Sequence, residues 1–326
     1  MADADQGFPS GAPPDPGYRE RYPWHAEPWA NLTRDISRLP HAILLVGPAG
    51  LGKRAFAWRL AHFLLCANPR ADHEPCDACP GCMRFKAGTH PDLLSVQPLE
   101  ESTVIAIDQI RAVRDFVVLT PHTSVRKVVI IEPAECMNPN AGNALLKVLE
   151  EPPPGSLLML VTSSPGRLPA TIRSRCTAVA FRPPATSVAT AWLRSQGVED
   201  GQALRDLTGG APLRALTLAR SSGLKDREQL LKDIEGLRTG TEDPLRCASR
   251  WKNYGAATSL EWFQSYLASA IRENIVEGKK SLPVSDLFKF LDVISEAKAQ
   301  TGGPLDETLL LEEILIGWSR VSRTMG

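Results

Sequence analysis

The sequence predicts an α/β domain built on a mostly parallel sheet, followed by an all-helical C-terminal part. Three observations carry this: short apolar runs that alternate with helical patterns, a glycine-rich loop directly after the first run, and no convincing strand pattern beyond Phe181. The runs are Ile43–Val46, Leu93–Val96, Val128–Ile131, Leu157–Val161 and Val179–Phe181. Continuous apolar runs of this length read as strands buried on both faces, which implies helices covering a parallel sheet. Between the third and fourth runs, Ala141, Ala144, Leu145, Val148 and Leu149 recur at helical spacing. Pro152-Pro153-Pro154 forbids that helix beyond Glu151.

A chain of 326 residues exceeds what one core usually organises, so several domains are expected. Residues 1–20 hold Pro9, Pro13, Pro14 and Pro16 with little to bury and read as a disordered tail. Residues 21–182 form the sheet domain, with a cysteine-bearing insertion at 66–82. Arg182-Pro183-Pro184 and Ser221-Ser222-Gly223 then divide the helical remainder into a small unit, 183–222, and a larger one, 223–326. In the larger unit Leu260, Phe263, Leu267 and Ile271 share one helix face.

Lys plus Arg and Asp plus Glu are equal at 37 each, so no overall positive field draws the chain onto nucleic acid. No apolar run approaches the roughly 20 residues of a membrane span. The start of the chain is acidic and rich in Pro and Gly rather than basic then apolar, so a cytoplasmic protein is expected.

The first strand runs into Gly47-Pro48-Ala49-Gly50-Leu51-Gly52-Lys53, a phosphate loop in which glycines expose backbone N–H groups and the lysine reaches terminal phosphate oxygens. Gly47, Gly50, Gly52 and Lys53 are therefore candidate nucleotide-binding residues. The next position, where Ser or Thr would ligate Mg²⁺, is Arg54, which cannot bind a cation. After the third strand comes Glu132-Pro133, where Mg²⁺ binding and activation of water would call for consecutive carboxylates; Glu135 is displaced. ATP binding stays open on these residues, and hydrolysis is not expected. Thr162 and Ser163, at the end of the fourth strand, are candidates to sense a γ-phosphate, with strand capping as the alternative role.

Cys66, Cys76, Cys79 and Cys82 offer four thiolates, the donor set of a closed, structural Zn²⁺ site. His73 as a replacement ligand and an iron–sulfur cluster are the alternatives. Residues 70–82 contain too few large apolar side chains to hold four cysteines in a core, so a metal would take the place of that core. The balance of Asp72, Glu74 and Asp77 against Arg70 and Arg84 does not favour a zinc-dependent DNA-binding module. Arg175, in Thr171-Ile172-Arg173-Ser174-Arg175-Cys176 just before the last strand, is placed to reach a phosphate held by another chain, with a surface ion pair as the alternative role.

Taken together, Asn143-Ala144-Leu145-Leu146-Lys147-Val148-Leu149-Glu150-Glu151-Pro152, Ser174-Arg175-Cys176 and the four-cysteine insertion resemble the bacterial DNA polymerase III clamp-loader subunits, gamma/tau and delta-prime, within the AAA+ class. Arg54, Glu132-Pro133, Tyr22-Pro23-Trp24 and Gly88-Thr89-His90-Pro91-Asp92 side with delta-prime. The resemblance implies an AAA+ P-loop domain with a zinc module, a helical lid over 183–222 and a helical collar over 223–326. It also implies a component of the DNA polymerase III holoenzyme, a DNA-directed DNA polymerase as a complex, which does not hydrolyse ATP itself and supplies Arg175 as an arginine finger in trans. Its implied partners are the gamma/tau and delta subunits and, through the complex, the beta sliding clamp and primed DNA. A catalytically active gamma/tau-like ATPase is the alternative.

Overall fold

Five strands, β1 (Ala42–Val46), β2 (Leu93–Val96), β3 (Lys127–Ile131), β4 (Ser156–Thr162) and β5 (Thr177–Ala180), make one sheet in the order β2-β3-β4-β1-β5. Every neighbouring pair is parallel. The computed structural model describes residues 16–99, 102–198, 208–220, 223–276, 283–301 and 306–323. Contacts divide the chain into two units, Met1–Val188 and Ala189–Gly326.

In the first unit the helices are α1 (Ala26–Thr33), α2 (Lys53–Leu64), α3 (Pro80–Lys86), α4 (Ile107–Val118), α5 (Pro139–Glu150) and α6 (Ala170–Arg173), and the unit boundary falls within α7 (Thr186–Ser195). One face of the sheet, with Leu44, Val129, Ile131, Leu158 and Leu160, is buried with Ile110 and Val113 of α4 and Leu145 and Leu149 of α5. Alternation sends Ile43, Leu45, Val128, Ile130 and Met159 to the other face, where α2 packs on β1, β3 and β4. All five are fully buried. The central strands are therefore covered on both faces, as the apolar runs predicted.

Strand β5 departs from that expectation. It pairs only with β1, and Thr177, Ala178 and Ala180 are exposed, so it is an edge strand rather than a doubly buried one. Helix α5 ends at Glu150, with Glu151 as its C-cap, immediately before the three prolines. Its start, which periodicity left open, is set by Asn138, whose side chain accepts a hydrogen bond from Ala141 N–H at 2.8 Å.

The expected tail ends earlier than residue 20. Residues 1–15 lie outside the described residues, but Pro16–Arg19 is a 3₁₀ turn and Tyr18 is buried against His62 and Phe85. An aromatic ring provides apolar area that the prolines around it do not.

Beyond the end of α7, every described element of the second unit is a helix: α8 (Pro212–Arg220), α9 (Gly223–Thr239), α10 (Pro244–Tyr254), α11 (Ala256–Val276), α12 (Val284–Gln300) and α13 (Glu307–Arg323). Leu260, Phe263, Leu267 and Ile271 of α11 are buried, as their spacing predicted. Phe263 meets Trp251 at 5.6 Å and Trp318 at 5.2 Å between ring centroids, and Phe290 joins Trp318 at 5.1 Å. Buried Asp233 accepts from Trp251 Nε1 at 3.1 Å and pairs with Arg250 at 2.8 Å, so this core carries one satisfied charge pair. No helix among the described residues is long and apolar enough to cross a membrane.

The first unit depends on a second buried carboxylate, Asp92, just ahead of β2. It accepts from the backbone N–H groups of His122, Thr123 and Ser124 at 2.6, 2.8 and 3.0 Å and lies 3.5 Å from Lys127 Nζ. Burial alone would raise its pKa, but these N–H groups and the Ser124 hydroxyl outweigh it and hold the carboxyl below the usual range. A carboxyl depressed on folding adds stability above its unfolded pKa and loses it as pH falls through the folded value. Asp92→Ala leaves Lys127 and three amides without their acceptor in the interior. It is expected to lower stability by about 3–5 kcal/mol in urea unfolding at pH 7. The gap between Asp92→Ala and wild type should narrow as the pH is taken below about 4, and a gap that stays constant there would remove the carboxylate from the explanation.

Candidate nucleotide and metal sites

The loop between β1 and α2 has the backbone shape of a phosphate cradle. Gly50 and Gly52 take φ of 80° and 78°, values that side chains disfavour. A Cβ at Gly52 would stand 2.7 Å from the Tyr22 ring, and one at Gly47 would stand 2.2 Å from Phe181 O. The Tyr22–His25 segment is thus seated directly on the loop. Trp24 Nε1 donates to Leu51 O at 2.9 Å, and His25 Nε2 bonds the same oxygen at 2.7 Å. Burial lowers His25 to about 4, so the ring is neutral and its Nε2–H is the donor.

The side chains that follow do not complete a magnesium–nucleotide site. Lys53 Nζ is held inside its own loop, donating to Gly47 O at 2.7 Å, Pro48 O at 2.8 Å and Ser163 Oγ at 3.0 Å. Those are all three of its donors. Arg54, at the position of the metal-binding hydroxyl, pairs with Glu132 at 3.2 Å. Burial raises Glu132 to about 7 even with Arg54 and Lys53 beside it. A guanidinium in place of the metal-binding hydroxyl, paired with the carboxylate that would otherwise face the metal, does not fit Mg²⁺.

The structure distinguishes the two hydroxyls that the sequence offered together and brings a third residue back to the site. Ser163, not Thr162, meets Lys53; Thr162 is buried and its Oγ1 accepts from Ser164 N–H at 3.1 Å. Glu135 is displaced in sequence but not in space, because its Oε1 accepts from Ser163 N–H at 3.0 Å. A short 3₁₀ turn, Ala134–Cys136, brings it back to the end of β4, and no periodic pattern announces a single turn of that kind.

Arg175 lies between α6 and β5, partly exposed. Its Nη1 donates to Thr171 O at 3.0 Å and its Nη2 pairs with Glu150 at 2.7 Å. The arginine therefore has partners within its own chain, among them the ion pair that is the alternative reading of its sequence. Arg173 is exposed and makes no ion pair among the described residues.

The four cysteines converge as their spacing predicted. The Sγ atoms of Cys66, Cys76, Cys79 and Cys82 all lie within 4.8 Å of one another, with Cys66–Cys79 and Cys76–Cys82 at 3.9 Å. Sulfurs around a tetrahedral Zn²⁺ at about 2.3 Å stand about 3.8 Å apart, so the set fits zinc. Backbone N–H groups of Cys76, Cys79 and Cys82 point at the sulfurs of Cys66, Cys76 and Cys79 at 3.3, 3.3 and 3.4 Å. Burial would raise the Cys79 thiol, but the N–H groups of Cys82 and Ala67 outweigh it and bring it to about 6. His73 is exposed, turned to Phe63 and outside the cluster. Buried Glu74 ties the module to α2 through a bidentate pair with Arg59, whose guanidinium lies 3.8 Å over the Trp29 ring. Asp77 is paired with Arg19 and Lys86 at 3.2 and 3.0 Å, so its charge is matched by nearby cations.

Comparison with known proteins decides the family. Residues 25–185 match the family described as DNA polymerase III, delta subunit. The Pseudomonas aeruginosa DNA polymerase III subunit delta-prime is 34% identical over 323 residues, covering 91% of this chain and 97% of that protein. The chain belongs to the DNA polymerase III delta-prime family. The delta-prime subunit of Escherichia coli is 31% identical over 258 residues, 78% of this chain and 77% of that one. The Bacillus subtilis tau subunit is 33% identical over 194 residues, 60% of this chain and 33% of that one. Among solved structures, a gamma-subunit-related protein of Thermotoga maritima aligns with a TM-score of 0.46 at 21% identity, over 90% of this chain and 99% of that one.

Purified without chelator, this delta-prime family member is expected to carry one Zn²⁺ per chain by elemental analysis. Cys79→Ser should abolish that content and lower the melting temperature by on the order of 10 °C, since structural zinc is worth many kcal/mol. Cys247→Ser, which touches a buried thiol far from the cluster in sequence, should keep the zinc. Full-length protein with less than about 0.2 equivalents and four freely titratable thiols would remove the metal.

Proposed function

We propose that this chain is the non-hydrolysing delta-prime subunit of a clamp loader, a stator that supplies Arg175 in trans to a neighbouring ATPase while the beta sliding clamp is loaded onto primed DNA. Family membership supports the subunit identity. The observation that carries the non-hydrolysing part is the Arg54–Glu132 pair at the metal position. A carboxylate and a hydroxyl would both be needed there for Mg²⁺, and one is replaced by a cation that engages the other.

On this reading the cysteine module binds one structural Zn²⁺, residues 183–222 are a lid and residues 223–326 a collar that joins the gamma/tau and delta subunits in the cytoplasm. Gly47, Gly50, Gly52 and Lys53 retain the loop without its turnover chemistry. Arg175, partly exposed just ahead of β5 and bonded to Thr171 and Glu150 rather than to its own chain's nucleotide loop, is on this reading the group that acts outward. The active gamma/tau-like ATPase remains the competing reading, and Lys53 is the residue that separates the two.

The isolated chain should show no hydrolysis above background at saturating Mg-ATP, and turnover abolished by Lys53→Ala would sink the proposal. In a complex reconstituted with its gamma/tau and delta partners, Arg175→Ala should leave assembly intact and reduce DNA-stimulated ATPase severalfold, roughly 3–10-fold, because other sites in the ring keep their own arginines. Arg173→Ala is the equal-charge control. Wild-type loading by Arg175→Ala, or equal losses in both variants, would overturn the finger assignment.

A further inference from the structure

Arg175 is held at both terminal nitrogens of its guanidinium, while its Nε–H has no partner among the described residues. Thr171 O takes Nη1 at 3.0 Å and Glu150 takes Nη2 at 2.7 Å. A guanidinium carries five N–H donors in a rigid fork, so three remain. Glu150 is the last residue of α5, where the helix dipole adds negative character beside the cation. Both side chains are partly exposed, 36% for Arg175 and 48% for Glu150, so the pair contributes little to stability. The neighbouring carboxylate, Glu151, makes no ion pair among the described residues, and neither does Arg173. The pairing therefore selects one of two adjacent glutamates and one of two nearby arginines.

We propose that Glu150 is a positioning residue for Arg175: it holds one terminal nitrogen of the guanidinium and leaves Nε–H and the remaining terminal N–H groups for a phosphate presented by an adjacent subunit. The proposal rests on the finger reading above. A long arginine side chain left free must lose its rotamer freedom when the transition state forms, and an arginine already fixed by its own chain loses less. Glu150 acts through Arg175 and does not itself touch the phosphate. An exposed ion pair yields readily to a more highly charged phosphate, so the same contact that orients the arginine does not trap it.

The test uses the full reconstituted complex and steady-state ATPase with primed DNA and clamp, across ATP concentrations, for Glu150→Ala, Glu150→Gln, Arg175→Ala and the double variant. Glu151→Gln serves as the control. Glu150→Ala is expected to lower kcat to about a third of wild type with KM for ATP and assembly unchanged. Glu150→Gln should lose about half as much, since its amide oxygen still accepts from the guanidinium. The double variant should match Arg175→Ala alone within about 1.5-fold, because positioning has nothing left to act on. If the two single losses multiply, or Glu150→Ala equals wild type while Arg175→Ala is impaired, Glu150 does not position the arginine. If Glu151→Gln costs as much as Glu150→Ala, general charge explains the loss and the proposal falls. Wild-type activity in Arg175→Ala overturns the finger reading, and this inference with it.

Discussion

Parallel pairing of the central strands fixes the site before any side chain is considered. Val46 is level with Thr162, and Ile131 with Leu160, so β1, β3 and β4 deliver their C-terminal ends to one edge of the sheet. In open parallel sheets ligands gather at that edge. Here it holds the phosphate loop, Glu132 and Ser163, each one residue past its strand or opening the loop that follows it. A slip of one residue would turn the fully buried Ile43, Leu45, Ile130 and Met159 toward the opposite face, so packing enforces the register that the site requires.

Given that edge, charge decides its chemistry. Lys53 is buried and burial lowers its pKa, while Glu135 and Glu132 act in the opposite direction. Its three donors are met by two loop carbonyls and a hydroxyl. Arg54 and Glu132 satisfy one another. An interior charge without a partner would cost several kcal/mol, roughly the effective desolvation penalty per ion, so this network stabilises the protein side chains against each other. A metal or a phosphate would first have to displace those partners.

Much of this was legible in the sequence, and the rest was hidden for identifiable reasons. Apolar runs located all five strands to within two residues, because burial on both faces leaves an unbroken signature. Cysteine spacing located the module, since few residue types ligate metals in that pattern. Strand β5 misled because small residues such as Ala178 and Ala180 look apolar whether covered or not. The choice of Ser163 over Thr162 depends on where the strand ends, and the return of Glu135 depends on one 3₁₀ turn; neither leaves a periodic trace. Asp92 was visible only as part of a resemblance, and its role as the acceptor for three consecutive N–H groups is a property of the folded loop. The partnership of Arg175 with Glu150 joins residues 25 positions apart that no local pattern connects.

The two arginines show how position sorts otherwise similar groups. Arg54 is 47% exposed, but its partner Glu132 is only 18% exposed and lies at the end of a central strand, so that pair is tied to the sheet. Arg175 and Glu150 are 36% and 48% exposed and sit on the rim, where both partners can be rehydrated or exchanged. A pair at the rim exchanges partners with water easily, whereas a pair tied to a central strand does not. Arg54 is thus paired at a strand end and Arg175 at a helix end, and the sheet register that separates the two locations is the same one that assembles the glycine-rich loop.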